Sequence, residues 1–469
     1  MIEVRLICQL NDYLNDAQDI PRAFSPALVV KDTAEHYLSW ETKYDDGVFI
    51  VTITSDLWDS REKELPIEER DDLLFKKYTK RFLKTCLYDY LSEKLSVELP
   101  YGSLTGVRPT KLFYELEGQG KDAFGVLKND FRVIESRALL IRDCVKNQTE
   151  CINRDPSAVA LFVNIPFCPT RCSYCSFIST EVGRIRKELP RYVEAVRREI
   201  DVVNDVVKRE GKKVTSIYVG GGTPGSIGAG YLRAILLGLV GYDVEFTVEA
   251  GRPDTIDEEM ITVLSDCGVT RISINPQTFK QSTLDTIGRK HTLEAFYRAY
   301  ELAKGRFSIN MDLICGLPNE TVSDFSDSLQ KTVSLHPDNI TVHSLSLKRG
   351  SVMTLEGVEK SYDGTVRRMT DLSIDYLRSA GYSPYYLYRQ KNTLDNLENV
   401  GYSLPGKQCK YNVDMMEESI SVLGVGAGAM TKILEGGKIT RISNPKGFRE
   451  YLDRIEDVIE KKGSFFITR

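Results

Sequence analysis

The spacing of hydrophobic and polar positions changes character twice along this 469-residue chain. Residues 1–60 carry short β-rich runs. Val4–Leu10 is one, and Gly47–Ser55 is another, opening after the turn signal Asp45-Asp46-Gly47. From about Glu64 the period lengthens, and Leu74, Tyr78, Phe82 and Cys86 recur every fourth residue, which predicts one face of a long helix. Gly106-Val107-Arg108-Pro109 interrupts the helical region as a rigid basic turn. It reads as a linker, or alternatively as a place where Arg108 and Lys111 reach an anionic ligand. Helical pattern resumes through Asp130–Asn147, and Asn153–Ser157 marks a boundary.

From Val159 strand and helix patterns alternate. Strands are predicted at Val159–Val163, Ser216–Val219, Glu245–Val248, Arg271–Asn275, Ser308–Leu313 and Ile340–Leu345. Between them, Leu189–Val207 presents an apolar face of Val193, Val196, Ile200, Val203 and Val207. Thr255–Cys267 opens on a capping box of Thr255 and Glu258, and helices are predicted at Val322–Leu335 and Val366–Ala380. Such alternation builds βαβ units on a parallel sheet, so the expected class is α/β. Beyond Leu345 the pattern weakens, until Asn444-Pro445 is predicted to cap a last helix with Phe448, Leu452, Ile455 and Ile459 on one face. Three regions are expected: an α+β then helical accessory domain over 1–150, a barrel over 155–350 and a C-terminal substrate-side region over 351–469.

Composition narrows the function classes. A hydrophobic share of 42% supports a core in two or three domains, and the absence of low-complexity tracts argues against long disorder. With a net charge of −5, no general attraction to nucleic acid is expected, and an anionic ligand needs a locally basic pocket. The N-terminus lacks a signal-peptide core, and no apolar run reaches membrane-spanning length. Of the ten cysteines, all but three are scattered singly, the usage of a reduced, cytoplasmic protein.

Those three are Cys168, Cys172 and Cys175, in a loop opened by Pro166 and Pro169 after the first barrel strand. Thiolates suit zinc or iron–sulfur clusters. A structural zinc site takes four protein ligands, and no second Cys or His pair completes one; a zinc-holding structural protein is kept as a rival. Clusters are ordinarily held by four cysteines, so three would leave one iron open to a small molecule.

The spacing Cys-x3-Cys-x2-Cys after a strand resembles the signature of the radical S-adenosylmethionine (SAM) enzymes. The string Phe162-Val163-Asn164-Ile165-Pro166-Phe167-Cys168 resembles their oxygen-independent coproporphyrinogen III oxidase branch. There Tyr and His usually stand where this chain has Phe162 and Asn164. Tyr101–Leu112 resembles the HemZ-type members of that group. The resemblance covers roughly residues 155–445. It implies a partial (βα)6 radical SAM barrel in which Cys168, Cys172 and Cys175 hold a [4Fe–4S] cluster. SAM binds the open iron and is split into methionine and a 5′-deoxyadenosyl radical.

The resemblance also assigns the ends of the barrel strands, where barrel enzymes keep their chemistry. Gly220-Gly221-Gly222-Thr223-Pro224 is similar to the motif that receives the SAM amino group, through Gly221, Gly222 and Thr223. Glu249 is expected at the ammonium or the ribose hydroxyls, Gln277 at the ribose and Arg289 at the methionyl carboxylate. Asp312, in Asp312-Leu313-Ile314-Cys315-Gly316-Leu317-Pro318, matches the family's SAM-contacting Asp. The implied reaction is oxidative decarboxylation of coproporphyrinogen III to protoporphyrinogen IX in haem biosynthesis, with a flavodoxin or ferredoxin as electron donor. Lys348, Arg349, Arg389 and Lys391, with Lys407, are the expected cations for the substrate carboxylates, beside the rings of Tyr385, Tyr386 and Tyr388. The rivals are another radical SAM tetrapyrrole reaction, such as haem methylation with ring opening, and a haem-trafficking protein that retains the cluster.

Overall fold

Six parallel strands follow one another through the middle of the chain, and in the later ones apolar residues alternate with polar ones, Phe246 and Val248 with Thr247 and Glu249, Met311 and Leu313 with Asn310 and Asp312, so that one face is apolar and the other carries polar groups. They are β1 (Ala158–Ile165), β2 (Lys213–Gly221), β3 (Glu245–Gly251), β4 (Arg271–Ile274), β5 (Ser308–Cys315) and β6 (Asn339–Ser344). These are seen in a computed structural model describing residues 1–8, 15–68, 71–106, 108–177, 179–347, 351–355, 363–390 and 393–464. The register sets Phe162 of β1 opposite Tyr218 of β2 and Asp312 of β5 opposite Thr341 of β6. On one side of the sheet Val159, Leu161 and Val163 pack under helix Leu189–Arg209, whose Val196, Ile200 and Val203 are buried. On the other side Ala158 and Ala160 share a cluster with Tyr385, Tyr386 and Tyr411.

Several elements depart from the sequence expectation. After β7 (Ser383–Arg389) and β8 (Glu398–Ser403), the glycine-rich run Leu423–Ala429 begins inside a further parallel strand, β9 (Ser421–Val425). It pairs with β1 on the side away from β2, Gly424 lying opposite Phe162. Strands β10 (Met430–Glu435) and β11 (Lys438–Ser443) continue antiparallel from it. The sheet therefore reads β7-β8-β6-β5-β4-β3-β2-β1-β9-β10-β11, an open, partial barrel extended at both ends. The helix after β3 begins at Glu258 with Asp257 as its cap, accepting from the Met260 N–H at 2.8 Å. Thr255 instead donates to the Arg252 carbonyl at 2.8 Å, because Pro253–Thr255 is spent on a single turn. Asn444 does not cap the last helix: its amide donates to Glu199 and to the Gly426 carbonyl, both at 2.8 Å. The apolar stretch it was expected to cap splits into Phe448–Asp453 and Ile455–Gly463.

The chain forms two compact units, Met1–Asp143 with Arg389–Leu397, and Cys144–Tyr388 with Glu398–Arg469. All of the described part of 351–469 except Arg389–Leu397 falls in the second unit. The first unit is a five-stranded sheet in the order Leu28–Val30, Ile2–Cys8, His36–Asp45, Val48–Ser55, Arg61–Pro66. Helix Asp72–Leu95, capped by Asp71, buries Leu83, Cys86, Leu87 and Leu91 against Trp40, Val51 and Ile53. Leu74, expected on that buried face, is exposed in the helix's first turn. No helix among the described residues is long and apolar enough to cross a membrane.

Candidate functional site

The loop after β1 holds its three cysteines at one end of the barrel. Thr223 N–H donates to the Phe167 carbonyl at 2.7 Å, and Gly222 N–H to that of Ile165 at 2.9 Å. The start of the loop is thereby stitched to the end of β2. Ser173 N–H donates to Ile287 at 3.0 Å, and the Thr170 hydroxyl to Gly288 at 3.3 Å. The Thr223 hydroxyl lies 3.7 Å from Cys168 Sγ, and Arg252 Nη1 lies 3.9 Å from Cys172 Sγ. Burial pushes the Cys168 and Cys175 thiols up, opposed at Cys168 by the Thr223 hydroxyl. The cysteines whose side chains are described are all free thiols. No group of three or more His, Cys, Asp or Glu among the described residues is gathered tightly enough for a single metal ion. Three cysteine thiols on one loop are ligands of the kind that iron–sulfur clusters take.

Glycine is required beside the loop. A Cβ on Gly222 would stand 2.5 Å from the Phe167 carbonyl oxygen and 2.9 Å from Cys168 Sγ. Gly221 sits at φ +109, and its Cβ would meet the Asn164 side-chain oxygen at 2.1 Å.

The strand ends carry the polar groups. Glu249 accepts from the Tyr218 hydroxyl and, at 3.3 Å, from the Gly221 N–H. Burial pushes its carboxyl up to about 7, with the Asp312 charge adding to the rise and the Tyr218 hydrogen bond opposing it. Burial likewise presses Asp312 upward, but His343 and the Asn310 amide outweigh it and hold the carboxyl below its ordinary value. Asn275 and Asn310 donate to Asp312 at 2.7 and 2.8 Å, and His343 Nε2 stands 3.6 Å away. Gln277 adopts φ +65, a costly conformation for a non-glycine residue, held by its N–H to the Asp312 carbonyl at 2.9 Å. Its side-chain Oε1 is buried without a partner. Arg289, 5% exposed, donates to the Gly251 and Asn275 carbonyls at 2.9 and 2.7 Å and to the Tyr174 hydroxyl at 3.3 Å. Its Nε has no partner, and no carboxylate among the described residues pairs with it. A buried cation held only by neutral acceptors leaves room for an anion.

The structure thus brings Gly221, Gly222, Thr223, Glu249, Gln277, Arg289 and Asp312 to the strand ends beside the cysteine loop. It treats the substrate cations differently. Lys348, Arg349 and Lys391 lie outside the described residues. Arg389 lies in the first unit, where its guanidinium stacks 4.1 Å from the Tyr101 ring centre and donates to the Leu104 and Asn396 carbonyls. A guanidinium bound to the backbone in this way is a structural tie within the first unit. Lys407 pairs with Asp338 at 3.0 Å. Tyr385 and Tyr386 are buried, bonded to Asn412 and Thr341. Phe162 joins a stack with Tyr411 and Tyr218, ring centres 6.2 and 6.4 Å from its own. Asn164 donates to the Ala427 carbonyl and so joins β1 to the glycine-rich run. Arg252 and His343 went unnominated in the sequence. Arg252 offered one local signal, an acidic residue two positions on after a proline, whereas nothing local distinguishes His343.

Comparison with known proteins agrees with this geometry. The model of the radical SAM superfamily matches residues 164–332. The oxygen-independent coproporphyrinogen-III oxidase-like protein HemZ of Bacillus subtilis (strain 168) is 40% identical over 416 residues, 83% of this chain and 82% of its own length. The heme chaperone HemW of Escherichia coli (strain K12) is 29% identical over 328 residues, 66% of this chain and 82% of its own. Among solved structures, coproporphyrinogen III oxidase HemN from Escherichia coli, a radical SAM enzyme, superposes with a TM-score of 0.54. It has 21% identity and covers 66% of this chain and 72% of that one, a likeness of fold.

Proposed function

We propose that this chain, which belongs to the oxygen-independent coproporphyrinogen-III oxidase-like, HemZ-type family of radical SAM enzymes, decarboxylates coproporphyrinogen III to protoporphyrinogen IX. Each of two propionates would lose CO₂, one hydrogen atom and one electron and become a vinyl group. The observation that carries the reading is the gathering of polar groups suited to SAM at the strand ends beside the cysteine loop, within a chain 40% identical to HemZ over most of its length. Enzymes of this family use a [4Fe–4S] cluster and SAM, which together supply a radical able to take hydrogen from an unactivated carbon.

The residues fit that group. Cys168, Cys172 and Cys175 would hold the cluster. Gly221 and Gly222, where a Cβ would collide with Asn164, Phe167 and Cys168, let the end of β2 lie directly against the cysteine loop, and with Thr223 they would meet the methionyl end of SAM there. The orphan Oε1 of Gln277 suits a ribose hydroxyl, and the Arg289 guanidinium, lacking a carboxylate, suits the methionyl carboxylate. Glu249 and Asp312 add acceptors for ammonium and hydroxyl donors. Replacing Arg289 by Ala is expected to weaken SAM binding roughly ten- to a hundred-fold, about 1.5–3 kcal/mol for a charge-assisted hydrogen bond. Calorimetric titration with SAM measures it, and unchanged affinity would remove Arg289 from the site.

Glu249 sets the pH dependence. With its carboxyl near 7 in the unliganded protein, a falling pH neutralises it just below neutrality. A bound ammonium favours the ionised form, so binding expels a proton in that window. SAM affinity should fall as pH drops below about 7, by up to tenfold per unit for one proton. The Glu249→Gln protein should show a flat profile over the same range. A sloping profile in that variant would place the titrating group elsewhere.

Lys348, Arg349 and Lys391 are assigned to the substrate carboxylates. The site of action is the cytoplasm, and a flavodoxin or ferredoxin delivers electrons. The free thiols are in keeping with a reducing compartment. Anaerobic incubation with coproporphyrinogen III, SAM and a reductant, followed by mass analysis, should show two successive losses of CO₂ plus two hydrogens. Arg349→Ala should raise KM for the tetrapyrrole while leaving SAM affinity and iron content unchanged. Unaltered coproporphyrinogen III together with stoichiometric haem binding would overturn the reading in favour of haem transfer.

A further inference from the structure

Arg252 stands at the end of β3, 3% exposed, and its fork is divided between two jobs. Nε and Nη2 each donate to one oxygen of Asp254, both at 2.8 Å. That bidentate pair fixes the guanidinium plane. The remaining nitrogen, Nη1, points at the cysteine loop, 3.1 Å from Thr170 Oγ1 and 3.9 Å from Cys172 Sγ. Cys172 is itself 9% exposed. The arrangement is a permanently charged donor, locked by a carboxylate and aimed at one thiol.

We infer that Arg252 is a positioning residue that holds the loop at Thr170 and donates to the Cys172 thiolate, raising the reduction potential of the cluster bound there. The inference rests on the reading of Cys168, Cys172 and Cys175 as cluster ligands. Reduction adds negative charge to a cluster, and a hydrogen bond or positive charge at a ligating sulfur stabilises the reduced form more than the oxidised one. Asp254 acts in the opposite sense, because it neutralises part of the guanidinium charge felt at the sulfur. Arg252 and Asp254 therefore pull the potential in opposite directions, which a purely structural role does not require.

The test is a redox titration of the anaerobically reconstituted full-length protein, following the spin-resonance signal of the reduced cluster. Arg252→Gln removes the charge and should shift the midpoint to a more negative potential at unchanged iron and sulfide content. Arg252→Lys keeps the charge without the fork and should fall between that variant and the parent. Asp254→Asn leaves the guanidinium uncompensated and should shift the midpoint to a more positive potential. If Arg252→Gln fails to retain its cluster, the Asp254→Asn shift decides alone. Unchanged midpoints, or shifts of the same sign in Arg252→Gln and Asp254→Asn, would overturn the inference. A cluster retained intact in the Cys172→Ala protein would overturn the ligand assignment instead, so the two failures are distinct.

Discussion

The Cys172→Ala protein is expected to emerge from anaerobic reconstitution without visible iron–sulfur absorption, without stoichiometric iron and without SAM cleavage. Three thiols are available to hold the cluster, and the loop that presents them has little freedom to find a substitute. Its backbone is bonded to the end of β2 through Thr223, to Ile287 through Ser173 and across its own turn from Cys175 to Cys172 at 3.1 Å. The other cysteines sit in different surroundings. Cys409 is buried at the opposite end of β3, with Sγ 3.3 Å from Glu245 Oε1. Burial pushes the Cys409 thiol well above its ordinary value, so it is held as a thiol and not a ligand. Cys409→Ala and Cys151→Ala should accordingly keep full iron content. Iron and sulfide analysis beside absorption spectra checks all three. A full cluster in the Cys172→Ala protein, or loss of iron on replacing Cys409, would contradict the assignment.

Replacing Lys462 by Met should cost about 3–5 kcal/mol of folding stability, the penalty for leaving a buried charge without its partner. Glu199 is fully buried and accepts from the Gly426 N–H at 2.8 Å, the Asn444 amide at 2.8 Å and the Tyr451 hydroxyl at 2.6 Å. Lys462, 6% exposed, pairs with the same carboxylate and donates to the Gly424 carbonyl. Without it, three neutral donors face an uncompensated carboxylate. A second substitution, Glu199→Gln, removes that charge and should recover part of the loss, a coupling that a double-mutant cycle in denaturant measures. A loss within about 1 kcal/mol, the scale of an exposed pair, would show that water reaches the carboxylate. This network also fixes Gly424–Gly428 beside Asn164, where a Cβ on Gly426 would stand 2.3 Å from the Asn164 carbonyl oxygen.

Much of this was legible in the sequence because it depends on neighbours along the chain. The spacing of Cys168, Cys172 and Cys175 within one loop needs no distant partner to be read. The six barrel strands were found to within three residues at either end, because each is a short β-rich segment set between helical patterns and bounded by turn residues. Glu249, Gln277 and Asp312 could be named because position at a strand end already says which end of the barrel a side chain occupies.

What only the tertiary structure decided are the partnerships. The run Leu423–Ala429 has the same composition whether it is a loop or a strand, and pairing with β1 makes its first part β9. Asn444 and Thr255 carry good capping chemistry, yet one is claimed by Glu199, 245 positions away, and the other by the turn that shapes the end of β3. Arg389 lies in a basic, aromatic stretch that suits an anionic ring. It is taken by Tyr101 and the Leu104 carbonyl, 285 positions back along the chain. Arg252 shows the reverse: an unremarkable charge after a strand becomes the donor at Cys172 once folding brings the two together. A local pattern specifies which chemistry a side chain can perform, and the long-range packing that buries it selects the one partner it meets, since a buried polar group must be satisfied by whatever the fold places within reach.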